Sequence, residues 1–306
     1  MTEGGGLPPS GGLLVVGEVV TDIVARHGSG LVHGTDTAAR IDTLPGGAGA
    51  NVACWAARSG CRDVTLLARA GAGSAAWHRE ALERAGVRPL LALDTEVPTA
   101  TVIALVDRSA ERTFLTDSGA VLRLAPDDFS PSMLDGVAHL HISGYLLFAA
   151  TSRATALLAL RSARRRGIPV SVDPASAGFL AELGAGRFLE FAEGADLLLP
   201  NADEAERLTG LPEPADAAAK LSRQFPEVVV TLGERGALLA AGGAVTARVA
   251  APPVDGPVDS TGAGDAFTGG FLAARLAGAD AAAAAAAGCR AGAEAVATVG
   301  GRPPPP

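Results

Sequence analysis

Aromatic residues are scarce in this chain of 306 residues, at 4% of the total, so its core has to be built mainly from Ala, Val and Leu. Cysteine is scarcer still. Cys54, Cys61 and Cys289 are odd in number and widely spaced, which excludes a disulfide framework or a metal-binding pattern and makes a reducing cytoplasm the expected setting. Positive charge is in deficit, with 25 Lys and Arg against 33 Asp and Glu and a formal net charge of −8. A nucleic-acid-binding surface would normally be basic, so none is expected. A small anionic substrate is not excluded, because a local cluster can override the average. No apolar run reaches the roughly 18 residues of a membrane span. The Ala-rich stretch Ala279–Gly288 is too short and reads as a buried helix. The start, Met1–Gly12, has no basic segment followed by an apolar one, so it does not read as a signal peptide.

Hydrophobic residues make up 48% of the chain, enough for one large domain. Short apolar runs at Leu13–Gly17, Val64–Ala68, Val137–Ser143, Ile168–Asp173, Asp196–Pro200 and Glu227–Leu232 read as strands. Helical patterns fall between them at 51–60, 75–85, 151–166, 203–208 and 215–224. This alternation predicts an α/β fold: a doubly wound, mostly parallel sheet with helices on both faces. One region breaks it. Thr99–Asp107 and Arg112–Thr116 read as β segments joined by a turn at 108–111, with a further strand at Ala38–Leu44. Together they predict a small β lid, in segments at about 34–45 and 97–118 of a domain spanning 13–301. The stretches 1–12 and 302–306 are expected to be disordered or loosely held tails.

The richest stretch is Asp259-Ser260-Thr261-Gly262-Ala263-Gly264-Asp265, followed by a small apolar run to Leu272. The glycines let backbone N–H groups converge on an anion, and the helix that follows directs its positive end at the same place. Asp265 at the mouth of such a cradle is positioned to take a proton from an attacking hydroxyl. The structural alternative is a glycine turn with Asp as helix cap. No Gly-Lys-Ser/Thr follows, so this is not a Walker loop, and its place near the C-terminus argues against a dinucleotide fingerprint.

Other elements add to this one. Gly17–Asp22 puts Asp22 after the first strand, at the sheet edge where open α/β sheets bind ligands. Pro45–Ala53 is a second glycine cluster opening a helix, in which Gly46 and Gly47 permit close approach and Asn51 offers donors and an acceptor. With Asp22 it resembles a polyol site; taken alone, Asn51 is equally a helix cap. Asn201-Ala202-Asp203-Glu204 suits a hydrated Mg²⁺ and phosphate oxygens, or else a capping box. Thr231-Leu232-Gly233-Glu234-Arg235-Gly236 suits nucleotide contacts, or else a tight turn.

These motifs, in this order from about Leu13 to Gly301, resemble the ribokinase-like (PfkB) family of carbohydrate kinases. The resemblance implies ATP-dependent phosphorylation of a small sugar-like acceptor. Asp265 would be the base, and Gly262, Ala263 and Gly264 the anion hole. Asp22, Gly46, Gly47 and Asn51 would bind the acceptor. Asn201 and Glu204 would serve the phosphates and Mg²⁺, with Glu204 acting through water. Thr231, Gly233, Gly236 and Gly264 would hold ATP. Asp259, with carbonyls near 295–300, resembles the family's monovalent-cation site, which takes K⁺. The lid resembles one that also dimerises, which implies a homodimer.

The chain also departs from the family's pattern. Glu18 stands where Asp is common and Val20 where ribokinases carry Asn. Gly144 and Tyr145 stand in place of a Glu, and Cys289 in place of an Asn beside the adenine. Two ribose contacts are therefore missing. Tyr145, Phe114 or Phe148 could stack on a sugar or base, or serve as core aromatics. A nucleoside kinase of the same family and a catalytically silent sugar- or nucleotide-binding protein remain the alternative readings.

Overall fold

The computed structural model describes residues 11–28, 30, 31, 33–107 and 112–304. The expected turn at 108–111, the tail residues 1–10 and residues 305–306 lie outside the described residues. In chain order the elements begin with β1 (Gly12–Val16), β2 (Val20–His27), β3 (Ala39–Gly46), α1 (Ala48–Arg58), β4 (Val64–Gly71), α2 (Ala75–Arg84) and β5 (Val87–Asp94). Then come β6 (Ala100–Val106), β7 (Arg112–Asp117), β8 (Val137–Ser143), α3 (Ala150–Arg165), β9 (Val170–Asp173), α4 (Ala177–Leu183) and α5 (Ala185–Phe191). The chain finishes with β10 (Leu197–Leu198), α6 (Ala202–Thr209), α7 (Pro214–Leu221), β11 (Glu227–Thr231), β12 (Ala237–Ala241), β13 (Ala244–Val249), α8 (Ala263–Leu276) and α9 (Ala281–Ala295).

Nine strands form the main sheet in the order β13-β12-β11-β10-β9-β8-β1-β4-β5. The strands from β5 across to β11 run parallel, and β12 and β13 add an antiparallel edge hairpin. The chain winds outward from β1 through β4 to β5, then returns to place β8 on the other side of β1. That reversal opens a crevice above the carboxyl ends of β1 and β8, the usual ligand position in open α/β sheets. Strands β1 and β8 are buried along almost their whole length, which is why they read as unbroken apolar runs. One sheet face packs on α1, α8 and α9 through Val15, Val52, Phe267 and Phe271. The other packs on α3, α6 and α7 through Leu140, Leu160, Leu208 and Leu221. Among the described residues no helix is long and apolar enough to cross a membrane.

The second sheet has four strands in the order β3-β2-β6-β7. Strand β2 runs parallel to β6 and antiparallel to β3. The sequence reading put Asp22 just beyond the first strand of the main sheet; instead it lies within β2, level with Leu44. Gly17–Val19 carry the chain out of β1, and Val20–His27 then finds its partners in the smaller sheet. The expected loose tail is also corrected at its start: Arg302 folds back into the molecule, its Nη2 donating to the Gly46 carbonyl at 3.1 Å.

Candidate active site

Gly262 is the N-cap of α8 and sits in the left-handed region, with φ 73. A Cβ there would lie 2.4 Å from Gly301 Cα, so both the backbone and the space require glycine. Gly264 is exposed, with no atom within 4 Å of where its Cβ would be, and leaves the helix end open. The Ala263 N–H donates to the Ser260 carbonyl at 3.3 Å, while Gly264 lines both cavities described below, where a helix start favours an anion. Asp259 braces the loop leading in, its Oδ1 accepting from the Thr261 N–H at 2.7 Å and its Oδ2 from the Gly300 N–H at 3.0 Å.

Asp265 lies in the same first turn and is no cap. Its Oδ2 accepts a 2.8 Å hydrogen bond from Asn51 Nδ2, across 214 residues of chain. Burial pushes the Asp265 carboxyl up to about 8; the Asn51 bond opposes this, and the charges of Asp173, Glu18 and Asp22 add to it. Asn51 is no cap either. It sits in the first turn of α1, whose N-cap is Gly47 at φ 100. A Cβ on Gly47 would meet the Glu18 carbonyl at 2.5 Å, and one on Gly46 would lie 2.0 Å from Asp22 Oδ2. Glu18 anchors this loop from below, its Oε1 accepting from the Gly49 N–H at 3.1 Å, and its burial raises its own carboxyl.

A cleft of about 100 Å³ joins Asp265 and Gly264 to Asp173, Asn201, Glu204, Thr231 and Thr268. Here the capping box is real: Asn201 Oδ1 accepts from the Glu204 N–H and Glu204 Oε2 from the Asn201 N–H, both at 2.9 Å. The box leaves one Glu204 oxygen uncommitted to it and so does not displace the other reading. Burial raises Glu204 to about 7, and burial with the Glu204 charge holds Asp173 well above the usual carboxylate range. Carboxylates crowded in this way fit a divalent cation, which would relieve their repulsion. Among the described residues no three His, Cys, Asp or Glu side chains converge as a direct cage.

A larger cavity of about 680 Å³ adjoins the cradle, lined by Thr231, Gly233 and Gly236 on one side and by Phe267, Cys289 and Val296 on another. Gly236 also has a structural duty, since a Cβ there would lie 1.9 Å from the Val249 carbonyl. At the other end of the site Tyr145 meets Phe179 edge to face at 5.6 Å, and Phe148 stacks on Phe179 at 5.1 Å. Burial raises the Tyr145 hydroxyl, and the charges of Glu18, Asp265, Asp173 and Glu204 raise it further, which puts the ring beside the acidic cleft. Phe114 lies apart from this group, 54% exposed on the edge strand β7.

Of the residues singled out in the sequence, Ala263, Gly264, Asp265, Asn201, Glu204, Thr231, Gly233 and Gly236 line two adjoining cavities, and Asp22, Gly46, Gly47 and Asn51 meet at the loop into α1; Tyr145, Asp259 and Gly262 line neither cavity. Sequence reading missed Asp173, Thr268 and Arg302. Asp173 does carry a signal, a lone carboxylate closing a buried strand.

A parallel sheet with its crevice over β1 and β8, a glycine-rich helix start and a buried carboxylate beside it suit transfer of a phosphoryl group to an alcohol. A family model described as pfkB family carbohydrate kinase matches residues 11–306, and the chain belongs to that family. It is 32% identical over 281 residues to a fructokinase from Klebsiella pneumoniae, covering 88% of this chain and 85% of that one. Among solved structures it superposes on an adenosine kinase from Sinorhizobium meliloti with a TM-score of 0.87 at 22% identity, covering 96% of each chain. A putative ribokinase II from E. coli, in complex with ATP and Mg²⁺, gives a TM-score of 0.83 at 25% identity, covering 95% of this chain and 94% of that one.

Proposed function

We propose that this protein transfers the γ-phosphoryl group of ATP to a hydroxyl of a small sugar, with Asp265 as the base. The observation that carries this reading is the 2.8 Å bond between Asp265 and Asn51, which joins the anion cradle to the acceptor loop. Asp265 takes the proton from the acceptor hydroxyl as that oxygen bonds to the γ-phosphorus. The bond from phosphorus to the β-phosphate oxygen breaks, and ADP leaves. The first-turn N–H groups at Gly262–Gly264 receive the charge on the transferred group. Asp22, Gly46, Gly47 and Asn51 hold the acceptor, with Tyr145 packing against its ring. Thr231, Gly233 and Gly236 line the larger cavity, which takes the nucleotide. Asn201, Glu204 and Asp173 would hold the Mg²⁺, which would neutralise the donor phosphates. A K⁺ ion would act at the Asp259 turn.

The fructokinase relatives support a ketohexose as the first acceptor to try. A nucleoside acceptor is favoured by one observation, the Tyr145, Phe148 and Phe179 group beside the acidic cleft. The test is ADP release over hexoses, pentoses, keto-sugar acids and nucleosides, with and without K⁺. Turnover that Asp265→Asn retains would sink the assignment, and binding without turnover would leave a silent sensor. The lid supports a second proposal, a homodimer. Register puts Ile23, Ile103 and the exposed Ile41 and Leu115 on its face opposite Asp22. Ile41→Lys should then give monomers in sedimentation.

A further inference from the structure

The turn after α9 touches the Asp259 turn, the start of α8 and the loop into α1. The Gly300 N–H holds Asp259, and Gly301 lies against Gly262 of the cradle. A Cβ on Gly301 would be 2.3 Å from Asn51 Nδ2, and its carbonyl accepts from Trp55 Nε1 at 2.9 Å. Arg302 then reaches the acceptor loop, Nη2 donating to the Gly46 carbonyl. Gly46 also rests on Asp22, so Arg302 and Asp22 meet the same glycine, one at its carbonyl and the other at its Cα.

Arg302 Nε and Nη1 are sealed from solvent with no hydrogen-bond partner. Among the described residues no carboxylate lies within ion-pair distance of it. A buried cation without a close counter-ion is costly, so its presence asks for a use. Direct capture of an anionic acceptor needs a nitrogen that a ligand can reach. Nε and Nη1 are covered and Nη2 is engaged, which leaves action on a neighbour. Its charge acts on Asp22, Cys54 and His78. Burial keeps Cys54 a thiol, and burial followed by the Arg302 charge lowers His78 to about 4, so both are neutral near pH 7. Asp22 alone of the three can answer the charge. Burial raises its carboxyl to about 6 and Asp259 adds to that, while Arg302 pulls it back down. Asp22 in turn acts on Asp265, the other carboxylate on this side of the cleft.

We propose that Arg302 is a positioning residue for acceptor binding: it pins Gly46 through its carbonyl and, from behind the acceptor loop, keeps Asp22 in the carboxylate form that accepts hydrogen bonds from acceptor hydroxyls. This rests on Asp22 being an acceptor ligand. The test uses the full chain with Arg302→Gln and Arg302→Lys. Without ligand, the Asp22 carboxyl is followed by ¹³C NMR against pH, assigned with Asp22→Asn. Arg302→Gln should move its midpoint up by about one unit, as loss of a nearby opposite charge does. Arg302→Lys should leave the midpoint close to wild type.

In turnover, Arg302→Gln should raise the acceptor KM about fivefold near pH 6 and less near pH 8, with kcat and the ATP KM within about twofold. An unmoved Asp22 midpoint overturns the proposal, and so does an equal rise in both KM values. If no acceptor turns over in the wild type, the functional reading fails, while the ligand-free titration still decides the role of Arg302. If Arg302→Gln does not fold, Arg302→Met removes the charge without burying an unpaired amide and carries the same measurements.

Discussion

In the proposed reaction the phosphoryl side of the cleft comes from one helix end and the loop before it, whereas the acceptor side is gathered from four separate stretches of chain. Gly262, Gly264 and Asp265 share a single turn of α8, so local backbone geometry alone aligns the cradle with the base. Asp22 comes from the second sheet, Gly46, Gly47 and Asn51 from the loop into α1, Tyr145 from the turn after β8, and Arg302 from beyond α9. The first arrangement tolerates little change, because every part depends on the same few φ angles. The second can drift one contact at a time. A family that keeps one reaction and varies its acceptor is built in this way.

The comparison can be broken first at Asp265. Asp265→Asn should lower kcat by about 10³-fold, within the range for a lost general base, while calorimetry shows ATP binding retained. An acceptor-side effect, by contrast, should fall on KM. Gly262→Ala is next. It forces a Cβ into the space of Gly301 at a positive φ, and should lower kcat about 10²-fold and Tm by several degrees, as read by turnover and thermal melts. Asp22→Asn should raise the acceptor KM about tenfold and leave the ATP KM unchanged, which steady-state kinetics in both substrates would show.

The smallest effect is on stability. The folded Asp265 carboxyl lies at about 8, above its ordinary 3.8, so between those values the folded state holds a proton that the unfolded chain has lost. Stability from this group is therefore full below about pH 3.8 and falls as pH rises towards 8. Asp265→Asn should raise Tm by about 2–4 °C at pH 8, the scale of 1 kcal/mol in a chain of this length, and by nothing near pH 4. An equal gain at both values would mean that the carboxylate is not strained by its surroundings.

Much of the fold was legible because it is locally encoded. Val137–Ser143 is buried on both faces and reads as unbroken apolar sequence, and the helices beside it have clear ends. The partnership of Val20–His27 was not legible. Its mixed pattern, with no regular alternation, does not say which sheet it joins, and its neighbours lie at 39–46 and 100–106. Strands β5 and β13 escaped for a similar reason, as edge strands with mixed patterns. Within the site, Asp173 and Arg302 carry no motif. A carboxylate ending a strand and an arginine among prolines acquire meaning only from what lies beside them in space.

The family's reaction was legible in the linear pattern, because Gly262, Gly264 and Asp265 lie in one turn and their spacing is set by local backbone geometry. How Asp22, Asn51 and Arg302 come together depends on the folded chain. The fold moved Asp22 to the second sheet, brought Asn51 across 214 residues to Asp265, and turned Arg302 from a tail residue into a buried cation. The physical reason is that hydrogen bonding and burial at those positions depend on neighbours distant in the chain, and a linear pattern does not record which neighbours a side chain will meet.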